Sequence, residues 1–168
     1  MTNISLVIIP LLISNILHML VVKYDAFPWL KIPLSVRLFG ANKTLRGFII
    51  LPILNACVSL LICAFLPYPD IPAIFITGLL LGLAYMLAEL PNSLFKRRLG
   101  IPSGGSPEKN KWAFALLDKC DSSIGVCLLA WLLIPLEIPE ALMLLLLSVG
   151  THIFFSWLLL LFHLKKSF

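Results

Sequence analysis

The chain has 168 residues, 60% of them hydrophobic and 12% charged, with a net charge of +5 and a mean hydropathy of +1.03. Soluble domains carry about 45–50% apolar and about 25% charged residues, so a water-soluble enzyme is excluded and an integral membrane protein is indicated. A span takes about 20 mostly apolar residues, which leaves room for a handful of helices and no sizeable soluble domain.

The reading in chain order is an all-α membrane protein of five transmembrane helices forming one domain over residues 1–168. Residues 4–22 make the first apolar run, and no basic residue precedes it, whereas a cleavable signal peptide has a basic stretch ahead of its apolar core. A polar connection over 23–47 follows, then runs at 48–66 and 71–90 with a short Pro-rich turn between them. A second polar connection, 91–112, leads to runs at 113–136 and 141–164. Cys57, Cys63, Cys120 and Cys127 lie in or beside these runs with no C-x-x-C pair, and are read as packing residues. His18, His152 and His163 lie on the runs themselves and are read as helix-contact residues.

Charge orients the bundle. Five Lys and Arg fall in the first connection, six in the second with its helix start (Lys96, Arg97, Arg98, Lys109, Lys111, Lys119) and two at the carboxyl end, which accounts for all 13. The positive-inside rule then puts the amino terminus outside, and both polar connections and the carboxyl terminus in the cytoplasm. Trp29 and Trp112 fall where interfacial anchors belong. For Lys23, Lys109, Lys111, Lys165 and Lys166 this asymmetry is explanation enough.

Three polar clusters ask for more. In Gly40-Ala-Asn42-Lys43-Thr44-Leu-Arg46-Gly47 the cations Lys43 and Arg46 are three apart, which predicts one side of a helix entering the second span. Lys43 followed by Gly47 suits a phosphate approaching backbone, although no Walker A loop is present. Glu89, Asn92, Ser93, Lys96 and Arg97 recur at i, i+3, i+4, i+7 and i+8, a polar stripe on an apolar helix. Pro91 is expected to interrupt that helix, and breaks at membrane depth are tolerated where a polar cavity is lined. The competing account is a helix end whose cations reach for the interface.

Asp118, Asp121, Ser122 and Gly125 form the third cluster, at i, i+3, i+4 and i+7. Two carboxylates on one face repel, and one near mid-membrane costs about 2.5–3.5 kcal/mol on insertion scales. They become compatible when they share a divalent cation; hard oxygen ligands completed by substrate phosphates suit Mg²⁺. Salt bridges to Lys96, Arg97 or Lys43 are the alternative.

The order G-x-N-K-T-x-R-G, S-x-x-K-R-R-x-G-I, L-L-D-x-x-D-x-x-x-G resembles the CDP-archaeol synthase family, membrane CTP-dependent cytidylyltransferases related to the phosphatidate cytidylyltransferases. The likeness covers nearly the whole chain. It implies transfer of the cytidylyl group of CTP to a lipid phosphate, with Mg²⁺, at the cytoplasmic face of the cell membrane. Carried over by position, Lys43, Thr44 and Arg46 match the first motif, Ser93, Lys96, Arg97 and Arg98 the second, and Asp118 and Asp121 the third. Where archaeal members tend to have Gly-Asp seven or eight residues before the motif lysine, this chain has Ala88-Glu89.

The residues suit that chemistry. A lipid phosphate is already an anionic nucleophile at neutral pH, since its second pKa is near 6. What remains is in-line positioning and charge neutralisation on the triphosphate. The expected roles are catalytic for Asp118, Asp121, Lys96 and Lys43, and metal-binding for Asp118 and Asp121, with Glu89 as a further candidate. Substrate contacts are expected from Asn42, Thr44, Arg46, Ser93, Arg97, Arg98 and Ser122. The Gly/Pro stretch 102–107 reads equally as a lid over the nucleotide or as a plain linker. CTP and a lipid phosphate are the expected partners, with no nucleic acid; the oligomeric state is open between monomer and homodimer. The alternative class is a small membrane transporter or assembly protein without catalysis, but a transporter usually shows internal repeats and midplane polar residues, and neither is present.

Overall fold

The computed structural model describes residues 3–64, 70–105 and 111–161, without the side chains of 63, 111–113, 115, 155, 156 and 158–161. Among these residues the fold is all-α, with six helices: α1 (Asn3–Lys23), α2 (Val36–Phe39), α3 (Leu45–Cys63), α4 (Ile71–Arg98), α5 (Lys111–Leu133) and α6 (Ile138–Leu161). Among the described residues each of the five apolar runs is helical over most of its length. α1, α3 and α4 are long and apolar enough to cross a membrane. In α5 the charges of Asp118, Lys119 and Asp121 crowd the first half, and α6 has a shorter apolar stretch, Ile138–Phe154.

α4 is the centre of the bundle, packed against α3 on one side and α5 on the other, while α1 leans on α3 and α6 on α5. The core joins Val7 and Leu11 of α1, Leu51 of α3, Leu81, Tyr85 and Met86 of α4, Val126 and Ala130 of α5, and Leu144 of α6. Small residues let the helices meet without an aqueous hydrophobic drive. At Gly125 a Cβ would collide with the Cβ of Ala88, so α5 and α4 touch there nearly backbone to backbone. Phe95 and Phe114 stack across the same pair of helices, with ring centroids 6.3 Å apart.

The expected break at Pro91 does not occur. α4 runs unbroken through Pro91 to Arg98, so the connection predicted at 91–112 is helical over its first eight residues. A proline inside a helix removes one hydrogen bond and crowds the preceding turn, but here the helix carries on past it. What stops α4 is Gly100, at φ 74°. Ile101 N donates to Lys96 O at 3.0 Å and Gly100 N to Arg97 O at 3.0 Å, the paired bonds of a Schellman cap. At its other end Asp70 caps the helix by accepting from Ala73 N at 3.0 Å.

The connection between α1 and α3 is ordered by backbone bonds. A 3₁₀ turn spans Pro28–Leu30. Pro33 and Thr44 form an isolated antiparallel bridge, flanked by Leu34 N to Lys43 O and Leu45 N to Ile32 O, both 2.9 Å. This corrects the first cluster. Thr44 caps α3 in an extended conformation, so Lys43 precedes the helix and does not share a helical face with Arg46. The Thr44 hydroxyl makes no capping bond. The stretch 106–110 of the Gly/Pro connection, the turn 65–69, Lys109, His163, Lys165 and Lys166 lie outside the described residues.

A candidate active site where α4 and α5 meet the first connection

The unbroken α4 keeps the predicted stripe on one face and aims it at α5. Asn92, buried, stands at the junction: its Nδ2 donates to Asp118 Oδ1 at 2.6 Å and to Asp121 Oδ2 at 2.8 Å. Lys96, one turn further along, places Nζ 2.6 Å from Asp118 Oδ1. One turn in the other direction, Glu89 pairs with Lys43, which the bridge between Pro33 and Thr44 delivers from the first connection. Both partners of that pair are four-fifths buried.

The cluster thus holds Lys43, Glu89, Asn92, Lys96, Asp118 and Asp121. Two of its three carboxylates face a lysine. Asp121 accepts from the Asn92 amide and, at 2.6 Å, from the backbone N of Ser122. Arg97 lies at the edge, its buried Nε without a hydrogen-bond partner and packed towards Gly40 of the first connection.

Other sequence candidates stand apart. Arg46 is buried and turned away, donating from Nη1 to Asp25 Oδ1 at 2.7 Å and to Ala26 O at 3.1 Å. Ser93 spends its hydroxyl on Glu89 O, one turn back in its own helix, at 2.8 Å. Asn42 is exposed and neighbours Gly104, Arg98 is exposed at the end of α4, and Ser122 is fully buried.

Asn92 and Asp25 carry more of the arrangement than the sequence reading gave them. Asn92 belonged to the stripe, but its reach to both aspartates depends on how closely α4 and α5 approach. Asp25 sits in the left-handed region at φ 48° and accepts from Lys31 Nζ at 3.1 Å as well as from Arg46. The hydrogen bond from Arg46, and then that from Lys31, hold its carboxyl below the usual aspartate value. Lys119, counted with the loop cations, is buried on α5. His152 meets Tyr85, ring against ring at 5.4 Å and with Nε2 2.8 Å from the hydroxyl, which also accepts from Asn15 Nδ2 at 2.8 Å.

Whether the aspartates fit a divalent cation is tested by Asn92. No group of three His, Cys, Asp or Glu side chains gathers among the described residues, so a third side-chain ligand would be an amide or hydroxyl oxygen. Asn92 supplies one: its nitrogen is shared between two carboxylates while its buried Oδ1 has no partner. Amide O and N differ by a half-turn about the terminal bond, and that turn directs a third hard oxygen to where Asp118 and Asp121 converge. Mg²⁺ is typically held by one or two carboxylates, with waters and substrate phosphates completing the octahedron. The donor set fits.

A family model described as CarS-like, CDP-archaeol synthase, matches residues 33–167. A CDP-archaeol synthase of Methanospirillum hungatei JF-1 is 30% identical over 130 residues, spanning 69% of this chain and 72% of that protein. No solved structure matches. The family match runs through the whole cluster from Lys43 to Asp121, and the chain belongs to the CDP-archaeol synthase family.

Proposed function

We propose that this membrane protein is a Mg²⁺-dependent CTP:lipid-phosphate cytidylyltransferase that releases pyrophosphate and a CDP-activated lipid. The carrying observation is the convergence of Lys43, Glu89, Asn92, Lys96, Asp118 and Asp121 at one end of an apolar bundle in a chain of this family. On this reading an oxygen of the lipid phosphate attacks the α-phosphorus of CTP. A bond forms from that oxygen to the α-phosphorus, the bond from the α-phosphorus to the bridging oxygen breaks, and the electron pair leaves with pyrophosphate. No side-chain nucleophile takes part.

The charge distribution supports five spans, with α5 and α6 as the fourth and fifth, and a cytoplasmic site where CTP is available. Asp118, Asp121 and the Asn92 carbonyl would hold Mg²⁺, which would neutralise charge on the triphosphate. Lys96 and Lys43 rest on Asp118 and Glu89; an arriving phosphate offers each a stronger anionic partner. Both lysines can thus turn from protein to substrate over a short distance, and Arg97, with a buried Nε unsatisfied, is placed to follow.

The test is conversion of labelled CTP by membranes carrying the protein, across a panel of diacyl, ether and polyprenyl phosphates, with and without Mg²⁺. Asp121→Asn should lower turnover by about 10²–10³-fold, in line with loss of a preorganised charge-stabilising group. Absence of a CDP-lipid with every member of the panel rejects the reading.

A further inference from the structure

The connection between α1 and α3 is apolar where a loop in water would be polar. Tyr24 is 74% exposed, Trp29 69% and Val36 61%, and Phe27, Ile32 and Leu38 also stand clear of the fold. These side chains are presented by fixed backbone: the 3₁₀ turn at Pro28–Leu30, the Pro33–Thr44 bridge, and α2, whose cap Ser35 accepts from Leu38 N at 3.3 Å. Leu30 points inward and is buried, which anchors the turn.

Cations are interleaved with them. Lys23, Lys31 and Arg37 are exposed, and the single acid in this stretch, Asp25, is already engaged by Arg46 and Lys31. Aromatic and aliphatic groups among Lys and Arg, with both ends running directly into membrane-length helices, match the headgroup zone of a bilayer containing anionic lipid. A protein partner fits less well, since the cores of protein interfaces are depleted in lysine.

We propose that residues 24–38 lie in the headgroup zone as a lipid-facing platform, and that anionic lipid phosphate passes over it sideways, from within the leaflet, to Lys43. The second half rests on the cytidylyltransferase reading; the first does not. The path is short, because the bridge of Pro33 to Thr44 and the bond from Leu34 N to Lys43 O hold Lys43 against the platform, and its ammonium sits on Glu89. A lipid held by its headgroup on the platform needs no transfer through water.

Trp29 reports on the first half. Its emission is obtained as the difference between the full-length protein and Trp29→Phe, both in vesicles of mixed anionic and zwitterionic lipid, with bromine placed near the headgroup or deep in the chains. The expected result is quenching by the shallow bromine at least about threefold greater than by the deep one, with little quenching by aqueous iodide. Quenching by iodide and not by bromolipid overturns the platform, as does shielding that develops only as protein density in the membrane is raised, which identifies a second copy as the partner.

For the second half, Trp29→Ser/Ile32→Ser/Val36→Ser should raise the KM for lipid phosphate, in surface mole fraction, by about tenfold, because the apolar contact with the leaflet is lost. The KM for CTP should not move. An unchanged lipid KM beside shallow bromine quenching overturns lateral access alone. If no CDP-lipid forms with any substrate, the functional reading fails and the tryptophan still decides the platform.

Discussion

Asn92 offers one nitrogen to two carboxylates and leaves its own oxygen buried and unpartnered. A buried amide with half its capacity unused carries a desolvation cost of about 1–3 kcal/mol, which a cation bound by the turned carbonyl would remove. Asn92→Ala is therefore expected to lower kcat/KM by about 10–100-fold, the usual consequence of losing a group that orients metal ligands, and to raise the Mg²⁺ concentration needed for half-maximal rate. A Mg²⁺ titration separates the cases: a fallen rate with an unmoved half-saturation point would make Asn92 a packing residue.

Asp25 is a residue-scale device of another kind, remote from the chemistry. Its folded pKa lies below the unfolded one because Arg46, and then Lys31, hydrogen-bond the ionised form. A depressed carboxylate contributes stability at pH values above its unfolded pKa of about 3.9, and that contribution is lost as pH falls through the folded value. Asp25→Asn should therefore melt below the wild type at pH 7, and the two curves should draw together below about pH 3.9. A gap that persists unchanged in acid would mean that Asp25 acts by backbone shape, at its φ of 48°, and not by charge.

At the scale of elements, the α4–α5 contact decides whether the site exists. Since a Cβ on Gly125 meets that of Ala88, Gly125→Ala overpacks the crossing, at about 1–3 kcal/mol. It should also part Asn92 from the aspartates. Adding Ala88→Gly returns the space and should restore both the melting temperature in detergent and turnover. Failure of the second change to rescue the first would place the cost of Gly125→Ala in α5 itself.

The helices were legible because apolar runs of about 20 residues bounded by charge and proline leave few alternatives. The stripe on α4 was legible for the same reason, helical spacing being local. Pro91 misled because sequence shows the lost hydrogen bond but not the packing that carries a helix past it. Lys43 was assigned to a helix that begins two residues later, since nothing local announces a bridge to Pro33. Asp25 offered no periodic signal at all, lying in a non-helical connection, and the sharing of Asn92 by two aspartates belongs to two helices at once.

On the scale of the whole molecule, cations gather at the end that bears the site: Lys31, Arg37, Lys43, Lys96, Arg97 and Arg98 lie in the first connection or at the end of α4, whereas the turn between α5 and α6 carries Glu137, with Glu140 in the first turn of α6, and no Lys or Arg. This polarity does for placement what the cluster does for chemistry. On the proposed function it would keep a triphosphate-binding surface against an anionic leaflet without long-range repulsion, and affinity for both substrates should then be sensitive to salt, within a Debye length of about 8 Å at physiological ionic strength.

The 28 residues of α4 extend about 42 Å at 1.5 Å per residue, against a hydrocarbon thickness of about 30 Å. On the five-span reading, about 20 residues counted from the Asp70 cap reach the far boundary, which would put Glu89 and Asn92 at the waterline and Lys96 beyond it. The protein is in effect a dipstick. A thicker bilayer would draw the carboxylates towards oil, while a thinner one would lift the aromatic groups of the proposed platform off their lipid, each at fractions of a kcal/mol per Å of mismatch. Turnover in vesicles of increasing chain length should rise to an optimum and fall on either side, and a flat profile would show that the bundle tilts to hide its excess length. Membrane-lipid synthesis would then be tuned by the thickness of the membrane it builds.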